Sequence, residues 1–149
     1  MGNPREPVIL IAEDDEDDWL FLREALEEST HEASLHFVPD GEALLSYLRR
    51  EGSFADSSRF PSPDLILLDL NMPKKDGREA LAEIKGDESL KHIPVVIFST
   101  SQEEKDVLFA YEHQASSFVT KPMSFDGWVS VITTLSRYWF GAAALPGSP

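Results

Sequence analysis

The sequence contains no cysteine among its 149 residues. This absence excludes disulfides, thiolate metal sites and cysteine nucleophiles, and it fits a protein that works in a reducing compartment. Basic residues are also scarce, because 13 Lys and Arg stand against 27 Asp and Glu, for a formal net charge of −14. A protein of that charge is a poor partner for nucleic acid and for anionic membranes.

Long apolar runs are missing as well. No stretch approaches the ~20 apolar residues of a membrane-spanning helix, and residues 1–7 contain no signal-peptide core. We therefore expect a soluble cytoplasmic protein with no membrane partner, and a flexible segment at residues 1–7. The length suits one domain with a full core and is too short for two ordinary domains.

Short apolar runs alternate with segments of helical periodicity along the chain. The runs that predict strands cover residues 8–12, 35–38, 65–68, 95–98 and 117–119. Five strands alternating with five helices predict an α/β fold, a doubly wound parallel sheet covered on both faces. The fourth helix is expected at residues 102–113, with an inner face of Val107, Leu108 and Tyr111. The last helix is expected at about residues 125–140, followed by a tail at 141–149.

Residues capable of chemistry follow four of the predicted strands. Asp14 and Asp15 follow the first strand, Asp69 the third, Ser99 the fourth and Lys121 the fifth. Ligands of such sheets bind beyond the carboxyl ends of the strands, so we expect these side chains to lie along one edge. Carboxylates brought together repel, so either their pKa values rise or a cation lies among them. Oxygen ligands alone favour a hard ion such as Mg²⁺.

This set of groups suits phosphoryl transfer, which needs a carboxylate nucleophile, a divalent ion, a lysine and a hydroxyl. Asp69 is the expected nucleophile. Asp15 and Asp69 are expected to bind Mg²⁺ directly together with the backbone carbonyl of Asn71, and Asp14 through water. Lys121 is expected to pair with a phosphoryl oxygen.

Each of these residues also has a plainer interpretation. Asp69 is a possible helix cap or loop charge, and Ser99 a possible cap for the following helix, although Ser101 is better placed for that. Lys121 is a possible surface lysine ahead of a turn proline, and the acids a possible loop cluster without a metal.

The residues resemble those of the receiver domain of two-component response regulators. The resemblance covers residues 8–140 and is carried by Asp14-Asp15, Asp69-Leu70-Asn71-Met72-Pro73, Ser99 and Lys121-Pro122. It implies the flavodoxin-like (βα)5 receiver fold, with strand order 2-1-3-4-5. It also implies that Asp69 is phosphorylated by a sensor histidine kinase and that the output is contact with another protein, not catalysis on a separate substrate.

A narrower resemblance is to the single-domain regulators paired with bacterial and cyanobacterial phytochromes. It rests on residues 67–79, the turn at 99–101 and the aromatic end Tyr138-Trp139-Phe140. It implies a bacteriophytochrome as the kinase, a cis peptide bond between Lys121 and Pro122, and a homodimer formed by the C-terminal helix and tail. The residues expected at the dimer contact are Tyr138, Trp139, Phe140 and Leu145, since exposing Tyr138, Phe140 and Leu145 would be unusual for a monomer.

Three positions depart from the commonest receiver pattern. Ser99 stands where threonine is usual, Phe118 where tyrosine is usual, and Gln114 where glycine often ends the fourth helix. Ser99 keeps a hydroxyl, and Phe118 keeps the ring without its polar tip. We expect Ser99 and Phe118 to form the switch that responds to phosphorylation. A left-handed Gln114 would cost on the order of 1 kcal/mol.

Three rival functions remain open at this point. An aspartyl-phosphate phosphatase usually carries a second acid two residues beyond its nucleophile, and here that position is Asn71. A flavodoxin-like cofactor binder would need a phosphate-binding loop after the first strand, where this chain has a run of acids. A receiver-like adaptor without phosphorylation would have no need of the reactive residues.

Overall fold

The computed structural model of the protein describes residues 6–29 and 32–146. Most of the start that we expect to be flexible, and residues 147–149 of the tail, therefore lie outside the described residues. Within the described ranges, no helix combines the length and the hydropathy that a bilayer-spanning segment requires.

Parallel strands and helices alternate along the described chain. The strands are β1 Val8–Ala12, β2 Ser34–Val38, β3 Leu65–Leu68, β4 Val95–Ser99 and β5 Ser117–Thr120. The helices are α1 Glu16–Glu28, α2 Gly41–Leu48, α3 Gly77–Gly86, α4 Glu104–Glu112 and α5 Phe125–Arg137. The sheet has the order β2-β1-β3-β4-β5, so the predicted doubly wound α/β fold is confirmed. A π-helical turn, Tyr138–Ala142, continues α5.

Two apolar layers lie on opposite faces of the sheet. Successive residues of a strand point to opposite faces, so Leu10 and Ile66 pack against α2, α3 and α4, while Ile11 and Leu67 pack against α1 and α5. Both faces are therefore dry, which is why the central strands are uninterrupted apolar runs in the sequence.

The predicted inner face of α4 is wrong at Leu108 and Tyr111, while Val107 is half-buried. Leu108 and Tyr111 are 60% and 51% exposed, whereas Asp106 and Ala110 are buried. The prediction assigned the apolar residues to the core, but a carboxylate is stable there when partners from other elements reach it. The left-handed conformation considered for Gln114, just after α4, is present, with a φ of +69°.

The chain after β3 turns back tightly against the end of that strand. Gly77 N–H donates to the Leu70 carbonyl at 2.9 Å, and a Cβ atom on Gly77 would lie 2.1 Å from the Asp69 carbonyl oxygen. Only glycine fits this approach, so Gly77 allows α3 to begin directly beside the end of β3. Asp76 caps the helix by accepting from Glu79 N–H at 3.0 Å.

Gly77→Ala is expected to lower the free energy of unfolding by about 1–3 kcal/mol, because the added methyl group would overlap the Asp69 carbonyl. Gly86→Ala is the matched control on the same helix, since a Cβ atom there would meet nothing within 4 Å. It should be neutral or stabilising. Urea unfolding of both variants tests this, and equal stabilities would contradict the steric explanation.

Candidate functional site

The register of β1 and β3 places two acids side by side. Ala12 pairs with Leu68, and Glu13 and Asp69 are the residues that follow them. Asp69 N–H donates to the Ala12 carbonyl at 3.0 Å, and Glu13 N–H donates to the Val38 carbonyl at 3.0 Å. Both acids are buried. The sheet hydrogen bonding therefore continues one residue past each strand and fixes the two acids at its edge.

Lys121 reaches the same position from β5. Its N–H donates to the Ser99 carbonyl at 2.9 Å. Its Nζ donates to Asp18 Oδ2 at 2.8 Å, to Asp69 Oδ2 at 3.1 Å and to Glu13 Oε1. The Lys121 side chain is only 8% exposed. The structure thus brings acids from the first and third strands together around the lysine that follows the fifth.

Burial and the neighbouring charges shift the pKa values of Glu13 and Lys121. Burial, together with the Asp69 charge, raises the pKa of Glu13 to about 8, although the hydrogen bond from Lys121 lowers it. Burial alone would lower the pKa of Lys121, but the hydrogen bonds to Asp18 and Glu13, with the Asp69 charge, raise it above its ordinary value. Lys121 is therefore an ammonium group at neutral pH.

Three of the acids are arranged to hold a cation. Glu13, Asp14 and Asp69 each offer an oxygen, and these three atoms lie within 4.8 Å of one another. All the donors are carboxylates, which suits a hard divalent ion, and the excess of negative charge at the site favours one. The residues present fit a magnesium site.

Asp15 does not belong to this group, which corrects the ligand set expected from the sequence. It is the N-cap of α1, where its Oδ1 accepts from Asp17 N–H at 2.9 Å. Its own N–H donates to Glu13 Oε2 at 3.0 Å. The two acids after β1 that can hold a cation are Glu13 and Asp14, one residue earlier than the expected pair Asp14 and Asp15. The reason is that α1 begins so soon after β1 that Asp15 caps the helix.

Glu13 and Asp18 were therefore missed by the sequence analysis. A signal for Glu13 was present, because it directly follows its strand just as Asp69 does. Asp18 lies in the first turn of α1, where an acid is also explained by the helix dipole. Both acids were obscured by the surrounding run of acidic residues, which is typical of a solvated segment.

The remaining predicted residues lie around this group. Asn71 N–H donates to Asp69 Oδ1 at 3.2 Å, and its side chain is exposed. Ser99 is completely buried, and its Oγ accepts from Ser101 N–H at 3.2 Å. Thr100, not Ser99, lines the cavity that contains Asp69. Phe118 is half-buried and packs on the α2–α4 side of the sheet.

The Lys121–Pro122 peptide bond is trans, so the expected cis bond is wrong for this structure. No cis peptide bond occurs in residues 6–29 or 32–146. A trans bond before proline is favoured by about 0.5–1 kcal/mol. In this arrangement the Pro122 carbonyl accepts from Trp128 Nε1 at 3.0 Å.

The residues expected at a dimer contact differ in exposure. Trp139 and Phe140 pack against the protein's own core on the α1–α5 side. Tyr138 is 55% exposed, and Leu145 is half-buried. The expected exposure of the aromatic end is therefore found at Tyr138 and not at Phe140.

The model of the family described as "Response regulator receiver domain" matches residues 9–133. The chain belongs to this receiver family. Response regulator Rcp1 of Synechocystis sp. is 40% identical to this receiver over 147 residues, which cover 99% of this chain and 97% of Rcp1.

Solved structures of response regulators are similar to this receiver along nearly its whole length. The phosphorylated cyanobacterial phytochrome response regulator RcpA is 40% identical, with a TM-score of 0.89, covering 96% of this chain and 100% of RcpA. RPA3017, a response regulator in red light signaling of R. palustris, is 37% identical, with a TM-score of 0.90 and coverages of 95% and 99%. Rcp1 itself, in an Mn²⁺-bound form, is 39% identical, with a TM-score of 0.85 and coverages of 95% and 99%.

Asp14→Asn is expected to weaken Mg²⁺ binding by about tenfold or more, because it removes one of three converging carboxylates. Asp15→Asn is the matched control: it removes the neighbouring charge but keeps a capping oxygen, and should change the affinity by no more than about threefold. Titration with Mg²⁺, followed by tryptophan fluorescence, suits the site because Trp128 lines the cavity. An equal loss in both variants would contradict the corrected ligand set.

Proposed function

We propose that this receiver accepts a phosphoryl group on Asp69 from the phosphohistidine of a sensor histidine kinase and signals by contact with another protein. The observation that carries the proposal is the Lys121 ammonium bonded to Asp69 Oδ2 at 3.1 Å beside two further acids. A buried carboxylate paired with a lysine, at the edge of an acidic cavity, is equipped for phosphoryl transfer.

Each residue has a distinct part in this reaction. A carboxylate oxygen of Asp69 attacks phosphorus, a P–O bond forms and the P–N bond to the donor imidazole breaks. Lys121 is already within hydrogen-bonding distance of Asp69, so its charge is in place for a phosphoryl oxygen. Asn71 N–H, which donates to Asp69 Oδ1, orients the carboxylate.

We propose Mg²⁺ as the bound ion, held by Asp14, Asp69 and Glu13, with the Asn71 backbone carbonyl as a further ligand. Support comes from the convergence of the three carboxylates and from the Mn²⁺-bound form of Rcp1, a similar protein. When bound, the ion supplies positive charge beside the phosphoryl oxygens.

A bacteriophytochrome is the proposed kinase, and the cytoplasm the proposed location. The support is the similarity to RcpA and to a regulator in red light signaling of R. palustris.

The rival functions gain no support from the site. Asn71 stands two residues beyond Asp69, where a phosphatase of this chemistry would carry its acid, and no acid of the described site follows Asp69 at that spacing.

Ser99 and Phe118 are proposed as the switch. Ser99 is completely buried and does not line the cavity, so its hydroxyl must move to donate to a phosphoryl oxygen. Phe118, on the neighbouring strand, is half-buried and able to fill the vacated space. Such a movement would bias the surface of α4, β5 and α5 between two states.

A homodimer through the end of α5 and the tail at residues 141–149 is also proposed. Tyr138 is 55% exposed at the point where α5 gives way to the π-helical turn. A large exposed aromatic side chain beside an apolar segment fits a contact with a second copy.

Asp69→Asn is expected to abolish phosphorylation, because the amide lacks the nucleophilic oxygen. Incubation with Mg²⁺ and acetyl phosphate should add one phosphoryl group to the unaltered chain, visible by intact mass. Asp15→Asn, at the same edge of the sheet, should still be phosphorylated. A panel of sensor kinases that includes phytochromes then identifies the donor. An adduct that persists in Asp69→Asn would refute the assignment.

A chain that ends at Phe140 is expected to sediment as a monomer, and the full chain as a dimer. This truncation keeps Trp139 and Phe140, which pack against the core, so the fold should survive. Tyr138→Ser in the full chain tests the exposed ring separately and should also weaken the dimer. Identical monomer masses for the full and shortened chains would end the dimer proposal.

A further inference from the structure

A buried carboxylate on α4 has no part in the site described above. The Asp106 side chain is 6% exposed. Its Oδ1 accepts from Arg78 of α3, at 3.1 Å from Nε and 2.7 Å from Nη2, and its Oδ2 accepts from Ser101 Oγ at 2.6 Å. Asp106 therefore joins α3 and α4 to the loop that follows β4.

This bonding continues from Ser101 to the proposed switch. Ser101 N–H donates to Ser99 Oγ at 3.2 Å, and Ser101 Oγ accepts from Glu103 N–H at 3.3 Å. Glu103, the N-cap residue of α4, makes no side-chain capping bond of its own. Ser101 therefore bonds to Ser99 at the start of the loop and to Glu103 at its end. The hydrogen bond to Asp106 in turn fixes Ser101.

Asp106 is ionised at neutral pH, because hydrogen bonds from Ser101 and then Arg78 hold its pKa below the ordinary value. A buried ion pair of this kind contributes little stability compared with apolar side chains of similar size. Packing alone therefore does not account for a carboxylate on the inner face of α4. Its hydrogen bonds point instead to a role in fixing the position of the loop.

We infer that Asp106, held by Arg78, is a positioning residue that acts through Ser101 to keep Ser99 away from the Asp69 cavity and so stabilises the unphosphorylated state. The inference rests on the proposed function, in which Ser99 donates to a phosphoryl oxygen on Asp69. In that movement Ser99 Oγ leaves the Ser101 N–H, and the loop that Asp106 holds must shift.

The coupling between phosphorylation of Asp69 and the hydrogen bonds of Asp106 acts in both directions. If the bonds to Asp106 oppose the movement of Ser99, then phosphorylation of Asp69 weakens the same bonds and loosens α4 from α3. Arg78 and Asp106 also line a cleft with Asn71 and Thr100, so this region borders the segment that follows Asp69. The phosphorylation site is connected in this way to the surface of α4, where Leu108 and Tyr111 are exposed.

The experiment measures the affinity for beryllofluoride, a phosphoryl analogue, at saturating Mg²⁺, and separately the affinity for Mg²⁺ alone. Asp106→Asn and Ser101→Ala should each tighten beryllofluoride binding by about fivefold, at the lower end of typical coupling between sites. Mg²⁺ affinity should not change. The double variant should bind no more than about twofold tighter than either single variant, because both substitutions break one chain of bonds.

Glu104→Gln is the matched control, since it removes an exposed acid from the same turn of α4 and should leave both affinities unchanged. A merely structural role for Asp106 would lower the free energy of unfolding without changing beryllofluoride affinity. Ser101→Ala carries the test if Asp106→Asn does not fold, because it keeps the Arg78–Asp106 pair and alters no charge.

Unchanged or weaker beryllofluoride binding in Ser101→Ala would overturn the inference, as would effects that are additive in the double variant. In either case the unaltered protein still binds beryllofluoride, and the proposed function stands. Failure of the folded, unaltered protein to bind beryllofluoride would overturn both.

Discussion

The site depends on the ion pairs that the ammonium group of Lys121 forms with three acids. Glu13, Asp18 and Asp69 converge on it from two other parts of the chain, and the lysine is 8% exposed. Buried carboxylates without a cation would repel one another and take up protons. Lys121 offsets part of that charge and leaves an excess, and this excess is what makes the edge of the sheet attractive to a divalent ion.

The parallel sheet explains why such distant residues meet. Lys121 and Glu13 are separated by 108 positions in the sequence, yet each directly follows the end of its strand. In a parallel sheet the carboxyl ends of all strands lie at one edge, and helices on both faces keep the rest dry. The fold that produces this geometry is shared with RcpA and RPA3017, whose structures match the chain with TM-scores of 0.89 and 0.90.

The β4–α4 region connects this edge to the surface. Ser99 is buried behind the cavity, and its hydroxyl is engaged by the following loop. The loop is tied to α4 and α3 by Asp106 and Arg78. In the switch that we propose, these hydrogen bonds connect a change at Asp69 to the exposed residues of α4.

Periodicity in the sequence was enough to predict the elements of the fold and the edge at which Asp69 and Lys121 lie. Apolar runs and helical spacing are local properties, so five strands, five helices and their alternation could be derived without coordinates. Details that depend on partners elsewhere in the chain could not. The meeting of Glu13 with Asp69 follows from the register of β1 against β3, and the burial of Asp106 follows from Arg78 and Ser101 reaching it. A sequence pattern shows which residues prefer water, but only the tertiary structure decides which polar groups find partners inside, because those partners come from distant segments.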